Sequence, residues 1–146
     1  VLNSGTGFLN PVEETTLTIP STATKVITVG AYDARFDQAA AFSGRGYTRA
    51  TNQVKPDLVA PGVEIMSCAP GGGYQVRTGT SMATPFVTGS AALLMQWGIT
   101  DGNDAYLYGE KMKAYLIRGA RRLPGFTAYP NPVLGWGALC TADSIP

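Results

Sequence analysis

The residues best suited to chemistry lie between positions 78 and 97. Gly79, Thr80 and Ser81 form a tight polar turn, and an apolar run follows with Phe86, Val87, Leu93, Leu94, Met95 and Trp97. A serine set between a glycine turn and a helix start holds its hydroxyl clear of regular backbone pairing. Its own N–H lies at the positive end of the helix dipole, where it can stabilise an oxyanion forming nearby. Those are the requirements of an acyl-transfer nucleophile. The same residues also have a plainer use, because Thr80 or Ser81 would serve equally well as the cap of a buried helix.

The surrounding chain must hold that turn in place. From Met82 to Trp97 the apolar residues run nearly all the way round, which predicts a buried helix. Pro85 falls in its first turn, where N–H groups have no intrahelical partner. Ala83, Gly89, Ser90, Ala91 and Ala92 are small enough for close packing on a sheet, and Gly98 is expected to end the helix. Residues 25–32 are rich in β-branched side chains and predict a buried strand. Residues 57–60 enter a Pro61-Gly62 turn, and short strands are expected at 63–68 and 74–77. The Pro70-Gly71-Gly72-Gly73 turn between them superficially resembles a phosphate cradle, but no Gly-Lys-Ser/Thr follows it. Residues 105–118 predict an amphipathic helix packed through Tyr108, Met112, Tyr115 and Leu116. Arg118, Arg121 and Arg122 near its end suit the negative pole of the dipole and read as a solvated terminus. The first fifteen residues carry turn formers and little periodicity.

Composition bounds the function. The chain has 146 residues, 45% hydrophobic and 14% charged, which suits one globular unit with a sizeable core. A net charge of +1 gives no electrostatic footprint for nucleic acid or a membrane surface. No stretch is long and apolar enough to span a bilayer, and no signal peptide is visible in the first residues. Cys68 and Cys140 make no disulfide framework and are expected as free, buried thiols.

Gly79-Thr80-Ser81-Met82-Ala83-Thr84-Pro85 closely resembles the nucleophile motif of the subtilisin-like serine proteases. Further matches stand upstream in that family's order: Val26-Ile27-Thr28-Val29-Gly30-Ala31, Ala41-Phe42-Ser43 and Val59-Ala60-Pro61-Gly62. Gly135-Trp136-Gly137 resembles the family's last hairpin. The resemblance runs from about Thr16 to the C-terminus. It implies an α/β fold of three layers with a mostly parallel sheet, of which this chain would be the C-terminal part, residues 1–15 ending an insertion or loop. It implies Ser81 as nucleophile and its backbone N–H as an oxyanion donor, with Thr80 in support. Thr18, Ile19, Pro20 and Ser21 would line the substrate-binding wall. No metal or organic cofactor would take part in the chemistry. The family's weak cation site uses carbonyls just after a matching proline, which points to Ser21, Ala23 and Val26 as the place for a structural calcium or other cation. The oxyanion asparagine has only Asn3 and Asn10 as candidates here, neither in the family's usual context. Phe86 stands where the family has a structural histidine.

The chain contains no histidine, and a Ser-His-Asp enzyme needs its imidazole base. In subtilisins the aspartate and histidine precede the serine. The expected partners are therefore an upstream half of the same protease domain, carrying both residues, and a peptide or protein substrate; nucleic acid and membrane are not expected. The competing reading is a catalytically inactive relative acting as a binding or signalling module, as among the germination proteins of spore-forming bacteria, which the TTLTIP and FSGRGYT stretches loosely resemble. An α/β-hydrolase fails on chain order, since its histidine would follow the serine. By family habit the protein would be bacterial and secreted, or associated with the cell envelope or spore.

Overall fold

The computed structural model of the chain describes residues 7–146. Val1, Leu2 and Asn3 thus lie outside the described residues, and residues 7–15 hold no helix or strand. The central sheet has three strands in the order β2, β1, β3: β1 is Val29–Asp33, β2 Gln38–Ala39 and β3 Leu58–Pro61. Strands β1 and β3 run parallel, with Val29 opposite Leu58 and Ala31 opposite Ala60. Strand β2, two residues long, is antiparallel to β1 and adds a short antiparallel edge to the parallel pairing expected of the fold. A separate antiparallel hairpin pairs β4 (Ile65–Cys68) with β5 (Tyr74–Arg77).

Both faces of the sheet are covered, which is why β1 and β3 are continuously apolar. Successive side chains alternate between two cores. Ala31, Leu58 and Ala60 face one, with Ala83, Val87, Leu94, Leu107, Met112 and Leu116. Tyr32 and Val59 face the other, with Leu123, Leu134 and Ala138. Each of the fully buried leucines contributes about 1.5–3 kcal/mol relative to exposure.

The strand expected from residue 25 begins only at Val29. Before it, the Val26 carbonyl takes the ammonium groups of Lys55 and Lys113, and the Thr28 N–H goes to the Asp57 carboxylate while the Thr28 carbonyl takes the Asp57 N–H at the entry to β3.

Helix α1 runs from Thr80 to Met95 and packs on the sheet through Ala83, Val87, Ser90 and Leu94. It is buried on this one side only. Phe86 is 42% exposed and Leu93 56%, which corrects the expectation of burial all round. Gly98 does not end the helix: the chain continues through a π-helical turn, Gln96–Thr100, with Gly98 buried inside it. A side chain there would meet Leu107 at 2.7 Å and the Asp104 carbonyl at 3.0 Å, so this glycine serves close packing.

The second helix, α2, spans Gly109–Arg118, four residues shorter at its start than expected. Met112 and Leu116 are its buried residues, Tyr115 is half-buried, and Tyr108 is exposed. Arg121 pairs with Asp37 at 3.0 Å, and Arg122 lies over the Tyr129 ring. A last short helix, α3 (Thr141–Ser144), docks on α1, where Ser90 and Thr141 hydroxyls meet at 2.6 Å. Both cysteines are free, but Cys68 is exposed at the end of β4 and only Cys140 is partly covered. The hairpin carrying Cys68 stands apart from the core, so nothing packs over its thiol.

Candidate active site

The turn ahead of α1 is fastened mainly by backbone, with one side chain in support: Thr78 Oγ1 accepts the Glu64 N–H at 2.9 Å. The Gly62 N–H donates to the Tyr32 carbonyl at the end of β1 (3.0 Å), and the Gly79 N–H donates to the Gly62 carbonyl (2.8 Å). Gly62 has no room for a side chain, because a Cβ there would lie 2.6 Å from Ala31 Cβ and 2.9 Å from the Gly79 carbonyl oxygen. Gly79 itself takes φ 155° and ψ 164°, a region essentially reserved for glycine. Two glycines thus bring the start of α1 against the sheet: one by fitting a tight contact, the other by adopting a conformation closed to other residues.

Gly79 is the N-cap of α1, and no side chain supplies a capping hydrogen bond. The plainer use of Thr80 and Ser81 as caps is therefore overturned. The hydroxyl of Ser81, an exposed residue, is left uncommitted at the cap. No acidic residue stands in the first turn, so nothing there offsets the positive pole of the helix. The Thr80 carbonyl accepts a hydrogen bond from Thr84 Oγ1 at 3.1 Å.

Thr80, Ser81 and Thr84 border a cleft of about 670 Å³. One of its walls is residues 26–29, with Thr18, Pro20 and Ser21 beside them; the opposite wall is residues 41–45. The structure therefore brings three of the four expected wall residues to the same cleft as Ser81. Ile19 is the exception: it is 89% exposed and turned away from the cleft. The charged residues of the lining are Glu13 and Arg45, and they pair with each other. What remains is hydroxyl, backbone and apolar surface, suited to an uncharged segment of extended chain. Asn10 lies in a different depression, with Phe8 and Tyr47, and takes no part in the cleft around Ser81.

Several supporting residues escaped sequence reasoning. Ser43 is buried, borders the cleft, and accepts the Ala31 N–H at 3.0 Å. Behind the 26–29 wall sits a charged cluster. Lys55 Nζ donates to Asp57 Oδ2 at 2.7 Å and to the Val26 carbonyl at 3.0 Å. Lys113 Nζ, from α2, meets Asp57 Oδ1 at 2.7 Å and donates to the carbonyls of Thr24 (3.0 Å) and Val26 (3.2 Å). The Thr28 N–H donates to Asp57 Oδ2 at 2.7 Å. Lys55 is only 2% exposed, and that burial pulls its pKa below the ordinary lysine value, with the facing Asp57 carboxylate opposing the shift. The alternation of Lys55 and Asp57 on one face of an incoming strand was the available signal; nothing in the sequence joined Lys113 to them.

Of the three carbonyls expected to hold a cation, Ser21, Ala23 and Val26, two are already engaged. The Ser21 carbonyl accepts the Thr28 hydroxyl, and the Val26 carbonyl already receives two ammonium groups.

Comparison with known proteins agrees with this geometry. The profile of the subtilase family of peptidases matches residues 3–137. Serine protease AprX of Bacillus subtilis is 34% identical over 151 aligned positions, covering 90% of this chain and 32% of that protein. An intracellular serine protease of Paenibacillus polymyxa is 46% identical over 77 positions, 53% of this chain and 21% of its own. Among solved structures, the CspB protease of Clostridium perfringens superposes with a TM-score of 0.93 at 49% identity, covering 99% of this chain and 30% of that one. The chain thus spans about a third or less of the length of these proteins. No helix among the described residues is long and apolar enough to cross a membrane.

Proposed function

This chain belongs to the subtilase family, and on that premise we propose that it contributes the nucleophile and one substrate wall of a serine endopeptidase. The observation that carries the reading is the uncapped Ser81 at the head of a 16-residue helix, opening on a cleft shared with Thr18, Pro20 and Ser21. Ser81 Oγ attacks the scissile carbonyl. A histidine from an upstream segment takes its proton, and an aspartate from the same segment orients that imidazole. The Ser81 backbone N–H receives the developing oxyanion, with the Thr80 unit shaping the turn. An upstream asparagine gives a second donor, and loss of one such donor costs about 3–4 kcal/mol of transition-state stabilisation. The protein chemistry needs no metal or organic cofactor.

The upstream half of the domain is the partner this reading requires. The apolar flank of α1 formed by Phe86 and Leu93, seven residues apart and 42% and 56% exposed, supports such a partner, since water-facing apolar residues in a row are costly to leave uncovered. The substrate is a peptide or protein presented as an extended chain. Likeness to the Clostridium perfringens protease supports a bacterial setting, and placement outside the cell or at its envelope or spore belongs to the proposal.

The absence of any histidine keeps an inactive binding module as the second reading. One experiment separates the two. The full-length protein is treated with a fluorophosphonate probe, and the adduct is mapped by mass spectrometry beside a Ser81→Ala control. Adduct at Ser81, absent from the control, is the expected result. No adduct in a folded full-length protein would overturn the enzymatic reading.

A further inference from the structure

The cluster behind the cleft wall has more order than packing alone requires. Lys113 reaches across from α2 to three acceptors: it donates to the carbonyls of Thr24 and Val26 and forms an ion pair with Asp57 Oδ1. Lys55 adds a second ammonium on the same Val26 carbonyl. Asp57 is the one carboxylate shared by both, and its Oδ2 also takes the Thr28 N–H. Everything these groups hold belongs to residues 24–28, the chain that continues into the 26–29 wall of the cleft. Carbonyls converging on a positive charge beside a carboxylate are the donor set that a hard metal ion uses. Here that charge is covalently attached to the protein.

We propose that Lys55 and Lys113, held on Asp57, act as a tethered cation: their ammonium groups take the place a free metal ion would need, so the cleft wall is fixed without one. Lys113 is the decisive member, because it ties the wall to a helix distant in sequence. These are positioning residues; none of them borders the cleft beside Ser81. Removing the Lys113 ammonium leaves a carboxylate oxygen and two carbonyls facing the same point, with the Val26 carbonyl still shared with Lys55, which is a nascent site for Na⁺, K⁺ or Ca²⁺. A purely structural lysine would leave no such demand behind.

The test uses melting temperature, which does not depend on whether Ser81 is a nucleophile. The full-length protein and its Lys113→Ala variant are melted in choline chloride, then with choline replaced at constant ionic strength by Na⁺, K⁺, Ca²⁺ or methylammonium. The parent protein is expected to melt at the same temperature in every salt and after chelation. Lys113→Ala is expected to melt several degrees lower in choline and to regain at least half of that loss, saturably, with one of the added cations. The proposal is overturned by a saturable cation effect on the parent protein, by an unchanged melt for Lys113→Ala, or by a loss that no cation restores. If Lys113→Ala does not fold, Lys113→Gln keeps most of the stem without the charge. It is titrated with the same cations, and the same outcomes support or overturn the proposal.

Discussion

Replacing Gly62 by alanine places one methyl group between β1 and the nucleophile turn. The new Cβ would sit 2.6 Å from Ala31 Cβ and 2.9 Å from the Gly79 carbonyl oxygen. Carbon atoms in contact prefer about 3.5–4 Å, so something must move by about 1 Å. Ala31 cannot yield readily, since it is fully buried in a strand paired on both sides. The turn carrying Gly79, Thr80 and Ser81 is the softer side and takes the displacement. Overpacking of this kind costs about 1–3 kcal/mol, read as a lower urea midpoint with unchanged slope. The kinetic effect should be larger than the loss of stability suggests, because a 1 Å misplacement of a reacting group can cost about 10²-fold in rate. The assay is the second-order rate of fluorophosphonate labelling at Ser81 in full-length protein, measured where both forms are fully folded. A companion Gly62→Ala/Ala31→Gly variant removes the carbon–carbon clash and should recover part of the rate. If Gly62→Ala labels at the parent rate with an unchanged midpoint, the account of how this turn is positioned is wrong.

Three further outcomes follow from the same structure. Asp57→Asn strands two ammonium groups, one of them on a residue 2% exposed; removing one partner of a buried pair costs about 3–5 kcal/mol, measurable by urea unfolding. Gly89→Ala meets nothing within 4 Å among the described residues, so helix propensity alone predicts a gain of up to about 1 kcal/mol; a loss in the full-length protein instead would mark Gly89 as covered by the upstream partner. The Lys111 ammonium, and then the Tyr115 hydroxyl, lower the pKa of Asp104. A carboxylate lowered in this way adds stability above its unfolded value, about pH 4, and the gain fades as pH falls through the folded value. The difference in unfolding free energy between the parent and Lys111→Met should therefore be flat above about pH 5 and shrink below about pH 4.

The sequence made some elements legible and hid others for identifiable reasons. Strand β5 and the start of the nucleophile helix could be read because local chemistry alone sets them: alternation in one, glycine and a tolerated proline in the other. Continuous apolar runs marked β1 and β3 as buried, but their pairing with each other was not legible, because an apolar run does not name its neighbour. Gly98 misled because a glycine late in a helix has two uses, termination and close approach, and only the neighbouring Leu107 decides between them. The apolar flank of α1 misled similarly, since composition says that a face is apolar without saying what covers it. Ile19 was grouped with its neighbours by position along the chain, whereas the turn around Pro20 sends it outward. The Lys113 contact joins residues 89 positions apart, and single-residue patterns carry no trace of such a pairing.

Ser81 and the 26–29 wall of the cleft are fastened by different groups, although the wall runs directly into β1 at Val29. Ser81 hangs from β1 through main-chain hydrogen bonds at Gly62 and Gly79, with the Thr78 hydroxyl taking the Glu64 N–H beside them. The wall hangs from α2 and the Lys55–Asp57 pair. The two attachments have no residue in common. The Thr18 and Ser21 side chains belong to neither fastening, so they can change in size and polarity without disturbing the hydrogen bonds that hold the Ser81 turn. On the proposed function, a lineage built on this plan can vary what its cleft holds while Ser81 stays still, and a protein engineer can use the same freedom.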